Sequence, residues 1–264
     1  MTCFSVFGIG GLLFGFVLVP VVTLVTPSRP RRVQRLRGCL GFAFRGFVWL
    51  MSALRGASFE VAGRAPPNGG CLIVANHPTL FDAVVLLALF PQADCIIKHE
   101  LLRNPFMRFA LSGLDFISNA DTAEMLSAGV ERLRRGRRLL VFPEGTRTEP
   151  GRPLKFHLAA ATMAVRSGAE CLPVIIRCEP SATTKQARWY EIAPERPRYS
   201  VQIEPPMDVA SLIGELPDRY AKRALNLFLQ DHYNAALSAP RAEPAPLPSA
   251  PGQLSHLGIA RADH

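Results

Sequence analysis

The sequence lacks the short motifs on which many hydrolases and metalloproteases depend. It has no G-x-S-x-G turn for a serine nucleophile, and its one H-E dipeptide, in "HELLR", is followed by arginine where a zinc-binding helix needs a second histidine. Its six cysteines form no C-x-x-C pair and no regular ligand spacing. These absences argue against a serine or cysteine hydrolase and against a metal site. They also favour buried thiols over disulfides.

Acidic residues are too few to balance the basic ones, and the formal net charge is +9. Ten of the arginines fall in two clusters, at residues 29–37 and 132–138. Apolar residues make up 48% of the chain, which is high for a freely soluble enzyme. Together these features favour a partner that is both apolar and anionic, such as a lipid surface, and we expect no nucleic-acid partner.

The stretch from Phe4 to Val25 has no charged residue and is about as long as a bilayer-spanning helix needs to be. The arginines that follow it predict a membrane anchor, in the cell inner membrane, with the downstream chain on the cytoplasmic side. A signal peptide is less favoured because the start lacks a positive n-region. Several glycines and Pro20 leave open a bent or re-entrant segment that lies in one leaflet.

A second apolar stretch, Cys39 to Leu54, carries Arg45 in its middle. It favours an interfacial helix whose arginine reaches the lipid headgroups, and a buried core helix is the alternative. Residues 1–54 are therefore expected to form a membrane anchor and an interfacial helix. Residues 238–264 are rich in proline, alanine and serine without hydrophobic periodicity, which predicts a disordered tail.

Residues 55–237 alternate short apolar strands with helices, and we expect them to form one domain. "CLIVAN" suits a strand buried on both faces, and "PTLFDAVVLLALF" suits a helix that follows it. Two late strands are expected in "RWYEIA" and "YSVQIEPP". The order of elements predicts the α/β class, with a mixed, largely parallel sheet flanked by helices and an N-terminal membrane-anchoring helical region.

His77 and Asp82 interrupt the apolar run from residue 71 to residue 87. A residue before proline avoids the helical conformation, so His77 is expected in the turn before a helix that Pro78 begins. Asp82 would then lie in the second turn of that helix. The turn can fold the imidazole back so that Asp82 accepts one ring N–H and leaves the other nitrogen free as a base. Two residues that merely cap the turn are the alternative.

A second polar turn ends the strand in "LLVFPEGTR", where Glu144, Gly145, Thr146 and Arg147 are consecutive. In open α/β sheets, ligands bind at the carboxyl ends of strands, and both turns are expected there. Gly145 permits close backbone approach, Thr146 offers a hydroxyl, and Arg147 offers a planar fork that suits a phosphate. A solvated turn with an ordinary ion pair is the alternative.

The motifs "NHPTLFD" and "FPEGTR", in this order, resemble those of the glycerolipid acyltransferases typified by 1-acylglycerol-3-phosphate acyltransferase. The resemblance covers roughly residues 55 to 205, including "IIKHELLRNPFMRFALSGLDFI" and "CLPVII". It implies that His77, oriented by Asp82, takes the proton from an acceptor hydroxyl as that hydroxyl attacks an acyl thioester. It implies no covalent acyl-enzyme.

The resemblance also implies the substrates. A fatty acyl group would pass from acyl-CoA or acyl carrier protein, without a further cofactor or a metal, to a lysophospholipid such as 1-acyl-sn-glycerol 3-phosphate. Membrane lipids are the other expected partners. By the resemblance, Glu144, Gly145 and Arg147 bind the acceptor headgroup. Further candidate substrate-binding residues are Lys98, Asn119 and Thr146.

The sequence departs from the family pattern in two motifs. Asn119 stands in "GLDFISN" where the family usually has a phosphate-binding arginine, and a neutral amide cannot give a phosphate the same charge-assisted fork. In "LKFHLA", Lys155 and Phe156 stand in reversed order and His157 stands where glycine is expected. These departures leave open an acceptor with a different headgroup, such as a lyso-aminolipid.

Three other functions remain open on the sequence alone. Water in place of the acceptor would give a thioesterase. A metalloenzyme could be built from His77, Asp82, Glu144 and His157, but no ligand spacing supports it. A non-catalytic, membrane-anchored lipid-binding protein would explain the arginines and the apolar N-terminus, but not the two motifs.

Overall fold

The computed structural model describes residues 2–64, 69–148, 151–180 and 196–239. Within them the chain forms seven strands and ten α-helices. The strands are β1 Ser58–Ala62, β2 Cys71–Ala75, β3 Asp94–Ile97, β4 Ile117–Ser118, β5 Leu139–Val141, β6 Glu170–Glu179 and β7 Arg198–Ile203. The α-helices are α1 Thr2–Leu13, α2 Val19–Val25, α3 Arg29–Ala53, α4 Asp82–Leu89, α5 His99–Arg103, α6 Pro105–Ser112, α7 Thr122–Arg134, α8 Ala159–Ser167, α9 Val209–Ile213 and α10 Asp218–Ser238, and a π-helical turn, Phe14–Leu18, joins α1 to α2.

The strands form one sheet in the order β1-β7-β6-β2-β5-β3-β4. The pair β6 and β7 is antiparallel, and all other neighbouring strands are parallel. The expected mixed, largely parallel sheet is therefore confirmed. The strand expected in "RWYEIA", residues 188–193, and most of the expected tail, residues 240–264, lie outside the described residues.

Helices pack on both faces of the sheet, and β2 in the centre shows why. Ile73 packs in the core with α3 and α4, whereas Leu72 and Val74 pack in the core with α8 and α10. Alternate side chains of a strand point to opposite faces, so a central strand that is apolar at every position requires helices on both sides. This arrangement leaves the ends of the strands uncovered by these helices, and the polar turns after β2 and β5 lie at the carboxyl ends.

The segment Ser5–Val25, from α1 to α2, is the one helix in the described chain that is long and apolar enough to cross a membrane. Only 17% of its most apolar 18-residue stretch is buried against the rest of the protein. It contacts the domain along its length: the Phe7 ring lies 5.1 Å from that of Phe47 in α3, and the Phe16 ring lies 4.8 Å from that of Phe109 in α6. Near its end, Val22 packs in a small core with Leu36 and Leu114.

The second apolar stretch lies in α3 and combines the two alternatives. Phe47, Val48 and Met51 are buried in the main core, whereas Phe42 and Trp49 are exposed. The guanidinium of Arg45 donates to the carbonyl of Ala88 near the end of α4 over 3.1 Å.

The helix after β2 begins later than expected. α4 starts at Asp82 and not at Pro78, so Asp82 lies in the first turn. The cause is local: the backbone N–H and the hydroxyl of Thr79 both donate to the Asp82 carboxylate, over 2.7 and 2.6 Å. These bonds hold residues 77–81 as a non-helical turn and place the carboxylate at the helix N-terminus, where the helix dipole favours negative charge.

Candidate active site

The site is built at the carboxyl end of β2, where Asn76 fixes the path of the chain. Its side-chain amide donates to the carbonyl of Ile176 over 2.8 Å, and its side-chain oxygen accepts from the N–H of the same residue over 2.7 Å. These two buried hydrogen bonds hold the chain against β6 at Asn76, one residue past the end of β2. They set the position from which His77 departs.

His77 and Asp82 are joined directly. Nδ1 of His77 lies 2.6 Å from Oδ2 of Asp82, whose side chain is 0% exposed. The imidazole stacks on the ring of Phe142, with centroids 4.4 Å apart and planes 25° apart. The side chain of His77 is 21% exposed, and no described residue bonds to its Nε2. An N–H on Nδ1 held by the carboxylate leaves Nε2 as the basic nitrogen at the surface.

Two further residues hold Asp82. Thr79 donates twice to the carboxylate, as described above, and the hydroxyl of Tyr199 in β7 donates to Oδ1. Both oxygens of this buried group are thus bonded to donors. Burial of a carboxylate is costly unless it is hydrogen-bonded, and here four donors meet that requirement.

The turn after β5 meets the turn after β2 through Glu144. Oε1 of Glu144 accepts the backbone N–H of His77 over 2.7 Å, and Oε2 accepts the hydroxyl of Thr148. The backbone of Thr148 in turn donates to the carbonyl of His77 over 3.2 Å. Glu144 is 4% exposed, and burial raises its pKa to about 7. This geometry favours a bracing role for Glu144 over contact with an acceptor headgroup.

The other residues of the turn lie nearer the surface. Gly145 has φ +65°, a conformation that suits glycine, and a side chain there would come within 3.2 Å of the His157 ring. Thr146 is exposed and Arg147 is half-buried. The exposed His157 thus lies beside the segment that was expected to bind the headgroup.

Lys98 and Asn119 follow the carboxyl ends of β3 and β4, at the same edge of the sheet. Both residues are exposed. The side-chain oxygen of Asn119 accepts the N–H of His99 over 2.8 Å, and its backbone N–H donates to Ile97 over 3.1 Å. Asn119 therefore ties the start of α5 to the end of β4.

Comparison with known proteins finds a family model that matches the region of this site. Residues 58–177, from the start of β1 to near the end of β6, match the family model described as Acyltransferase. This part of the chain is similar to the acyltransferase family. The matched segment contains both motif turns, with His77, Asp82 and the stretch 144–147.

Proteins to which the chain is similar include bacterial and animal enzymes. The chain is 31% identical over 166 residues to the 1-acyl-sn-glycerol-3-phosphate acyltransferase of Pseudomonas aeruginosa, an alignment that covers 60% of this chain and 64% of that protein. It is 28% identical over 232 residues to 1-acyl-sn-glycerol-3-phosphate acyltransferase alpha of Bos taurus, over 83% of this chain and 77% of that protein. The chain thus spans somewhat under two thirds of the bacterial relative.

The fold is similar to that of the 1-acyl-sn-glycerophosphate (LPA) acyltransferase PlsC in its crystal structure from Thermotoga maritima. The TM-score is 0.61 at 21% sequence identity, and the match covers 89% of this chain and 99% of that one. At this identity, the comparison establishes a shared fold.

Sequence reasoning did not find three residues of the candidate site. Thr79 and Thr148 lie within or next to the two motifs, so a search for donors to the buried carboxylates could have found them. Tyr199 gave no signal, because it is 117 positions from Asp82 and only the fold brings them together. Among the described residues, no group of three or more His, Cys, Asp or Glu side chains could hold a metal ion.

Proposed function

We propose that the protein transfers a fatty acyl group from an acyl thioester to the hydroxyl of a lysophospholipid such as 1-acyl-sn-glycerol 3-phosphate. The observation that carries the proposal is the contact of 2.6 Å between Nδ1 of His77 and buried Asp82, with Nε2 left without a bonding partner among the described residues. The names of the relatives support the same acceptor.

The chemistry follows from that geometry. Nε2 of His77 removes the proton from the acceptor hydroxyl as its oxygen attacks the thioester carbonyl, and Asp82 stabilises the imidazolium that forms. When the tetrahedral intermediate collapses, the C–S bond breaks and the proton passes from Nε2 to the leaving thiolate. General-base help of this kind contributes about a hundredfold to ten-thousandfold in rate, and holding the two substrates together contributes much of the rest.

For the acceptor headgroup, we assign Arg147 and Thr146 as the phosphate contacts, with Gly145 allowing close approach. Lys98 is a further candidate at the same edge. Asn119 offers no charge, and its side-chain oxygen is already bonded to His99. This observation favours a second candidate acceptor, a lyso-lipid without a phosphate, such as a lyso-aminolipid.

For the donor, acyl-CoA and acyl carrier protein both suit the basic surface, and no further cofactor is expected. The formal charge of +9 complements the phosphates of the one and the acidic surface of the other.

For the membrane, we infer that α1 and α2 lie within one leaflet, with the domain on the cytoplasmic side of the cell inner membrane. The support is the set of contacts from Phe7 to Val22, which hold the apolar segment against the domain along its length. A segment that crossed the bilayer upright would draw α3, α6 and the domain into hydrocarbon, where charged surfaces are costly.

The test is acyl transfer by the purified full-length protein in lipid vesicles. Labelled acyl-CoA and acyl carrier protein are offered with a panel of acceptors, with and without phosphate, and products are identified by mass. His77→Ala should abolish transfer while membrane binding persists. His232→Ala is the matched control, because His232 also contacts a carboxylate, Glu204, at 2.6 Å, but on α10 across the sheet from α4.

The outcomes separate the functions. Transfer that persists in His77→Ala would refute the base, and release of free fatty acid in place of acylated lipid would indicate a thioesterase. Efficient use of 1-acyl-sn-glycerol 3-phosphate would exclude the lyso-aminolipid alternative. Vesicle binding by the wild-type protein with no turnover of any pair would favour a non-catalytic lipid-binding protein.

A further inference from the structure

The Asp82 carboxylate is completely buried, so its charge depends on the donors around it. Oδ2 accepts from Nδ1 of His77 and from the backbone of Thr79. Oδ1 accepts from the hydroxyls of Thr79 and Tyr199. His77 and Thr79 come from the motif itself, whereas Tyr199 is supplied by a distant strand.

The antiparallel strand is what brings Tyr199 to this place. β7 runs opposite to β6, and Tyr199 stands across from Cys178, near the end of β6. Because β6 extends beyond β2, the beginning of β7 lies past the carboxyl end of β2, on the side towards which His77 and Asp82 project. The ring of Tyr199 is fixed there by Phe59 of β1, with centroids 5.4 Å apart.

The hydroxyl of Tyr199 can act only as a donor towards this carboxylate. Burial, together with the neighbouring Asp82, raises the pKa of Tyr199 well above its ordinary value, so the phenol stays protonated. A neutral donor on Oδ1 favours the ionised carboxylate and restricts its rotation. It therefore fixes Oδ2 towards Nδ1 of His77.

We propose that Tyr199 is a positioning residue of the His77–Asp82 pair, whose hydroxyl holds the carboxylate in the orientation that selects the Nδ1–H form of the imidazole. The proposal rests on the proposed function. It means that β7, which lies outside the matched family segment, affects both the basicity and the orientation of the His77 imidazole.

The test compares Tyr199→Phe with Tyr233→Phe in the full-length protein. Tyr233 is the matched control, because its hydroxyl is equally buried but bonds to the backbone of Val74 and Val174 on the α10 face of the sheet. Both variants lose a buried hydroxyl and are expected to lose stability. Only Tyr199→Phe is expected to lower kcat, by about tenfold, with KM for both substrates unchanged.

The pH profile separates positioning from a general structural effect. In Tyr199→Phe, no phenol hydroxyl offsets the negative charge of Asp82. The carboxylate then stabilises the protonated imidazole of His77 more strongly. The acidic limb of the kcat profile should therefore move to higher pH in Tyr199→Phe and stay in place in Tyr233→Phe. An unchanged limb and kcat in Tyr199→Phe, or the same change in both variants, would overturn the proposal.

Two further measurements distinguish a failure of the positioning role from a failure of the proposed function. In an Asp82→Asn background, replacement of Tyr199 should have little additional effect on rate, since both residues act through one carboxylate. If the wild-type protein transfers no acyl group, the proposed function fails, but the low-field proton resonance of His77 Nδ1–H still reports the contact. That resonance should move in Tyr199→Phe and not in Tyr233→Phe, and an unmoved resonance would reject the positioning role.

Discussion

The backbone N–H of His77 donates to Oε1 of Glu144 across 2.7 Å, and this bond joins two turns that are 67 positions apart. Thr148 closes the link from the other side by donating to the carbonyl of His77. The base is thus held by its backbone as well as by its side chain. A substitution in the turn after β5 is therefore expected to shift His77 through its backbone, without contacting the imidazole ring.

Replacement of Glu144 by Gln should make stability less dependent on pH. The pKa of Glu144 is raised from its ordinary value of 4.5 to about 7, so the native state favours the protonated acid. Its contribution is complete below pH 4.5 and is lost as pH rises through 7, an effect of about 3 kcal/mol as an upper estimate. Gln mimics the protonated form, so Glu144→Gln should gain stability relative to wild type over this range.

The measurement is denaturant unfolding in detergent micelles between pH 4.5 and 8. Glu131→Gln on α7 is the control, since Glu131 is exposed and, among the described residues, pairs only with Arg135, the residue that follows α7. A difference between Glu144→Gln and wild type that stays constant across this pH range would contradict the raised pKa.

Arg147 should matter for the acceptor and not for the donor. Replacement by Ala should raise KM for a phosphate-bearing acceptor by about tenfold or more, because a charge-assisted, bidentate contact is lost. Replacement by Lys should restore this only in part. Steady-state kinetics with a phosphate-free acceptor provide the internal control, and Arg166→Ala on α8 provides the control for loss of a surface charge. Equal losses for both acceptors would exclude a phosphate contact.

The sequence predicted the parts of the site that are local and missed the parts that the fold assembles. His77, Asp82 and the turn at 144–147 stand in short motifs, and the rule that ligands bind at the carboxyl ends of parallel strands placed both turns together. The start of α4 was misplaced because Pro78 is a favourable first helical residue, whereas the bonds from Thr79 to Asp82 prevail. Tyr199 could not be predicted, because strand order decides which distant residue reaches a buried carboxylate.

Replacement of Asp94 by Asn should destabilise the fold by about 3–5 kcal/mol. Asp94 is fully buried at the start of β3 and contacts three arginines, Arg37, Arg132 and Arg137. Burial lowers the pKa of Arg37, and the Asp94 charge opposes that effect. Loss of the charge would leave buried guanidinium groups uncompensated. The expected loss is measured by denaturant unfolding in micelles.

Asp115→Asn is the matched control for this cluster. Asp115 pairs with Arg29 and Arg132 but is 30% exposed, so its loss should cost less than about 1 kcal/mol. If the two variants are equally stable, the buried carboxylate does not hold α3 to the sheet.

The aromatic side chains of α6 should enter the lipid together with the N-terminal helix. Phe106 and Phe109 are 54% and 50% exposed, and both rings lie beside Phe16. Large apolar side chains clustered at a surface indicate a membrane or protein contact.

The measurement is tryptophan fluorescence in a background whose native tryptophans are replaced by Phe. The fluorescence of Phe106→Trp and Phe109→Trp should be strongly quenched by lipids that carry bromine on their acyl chains. Phe228→Trp on α10 is equally suited to report exposure, but it lies on the other face of the sheet and should not be quenched. Quenching at all three positions would mean that the protein has no single lipid-facing side, and quenching at none would place α6 outside the bilayer.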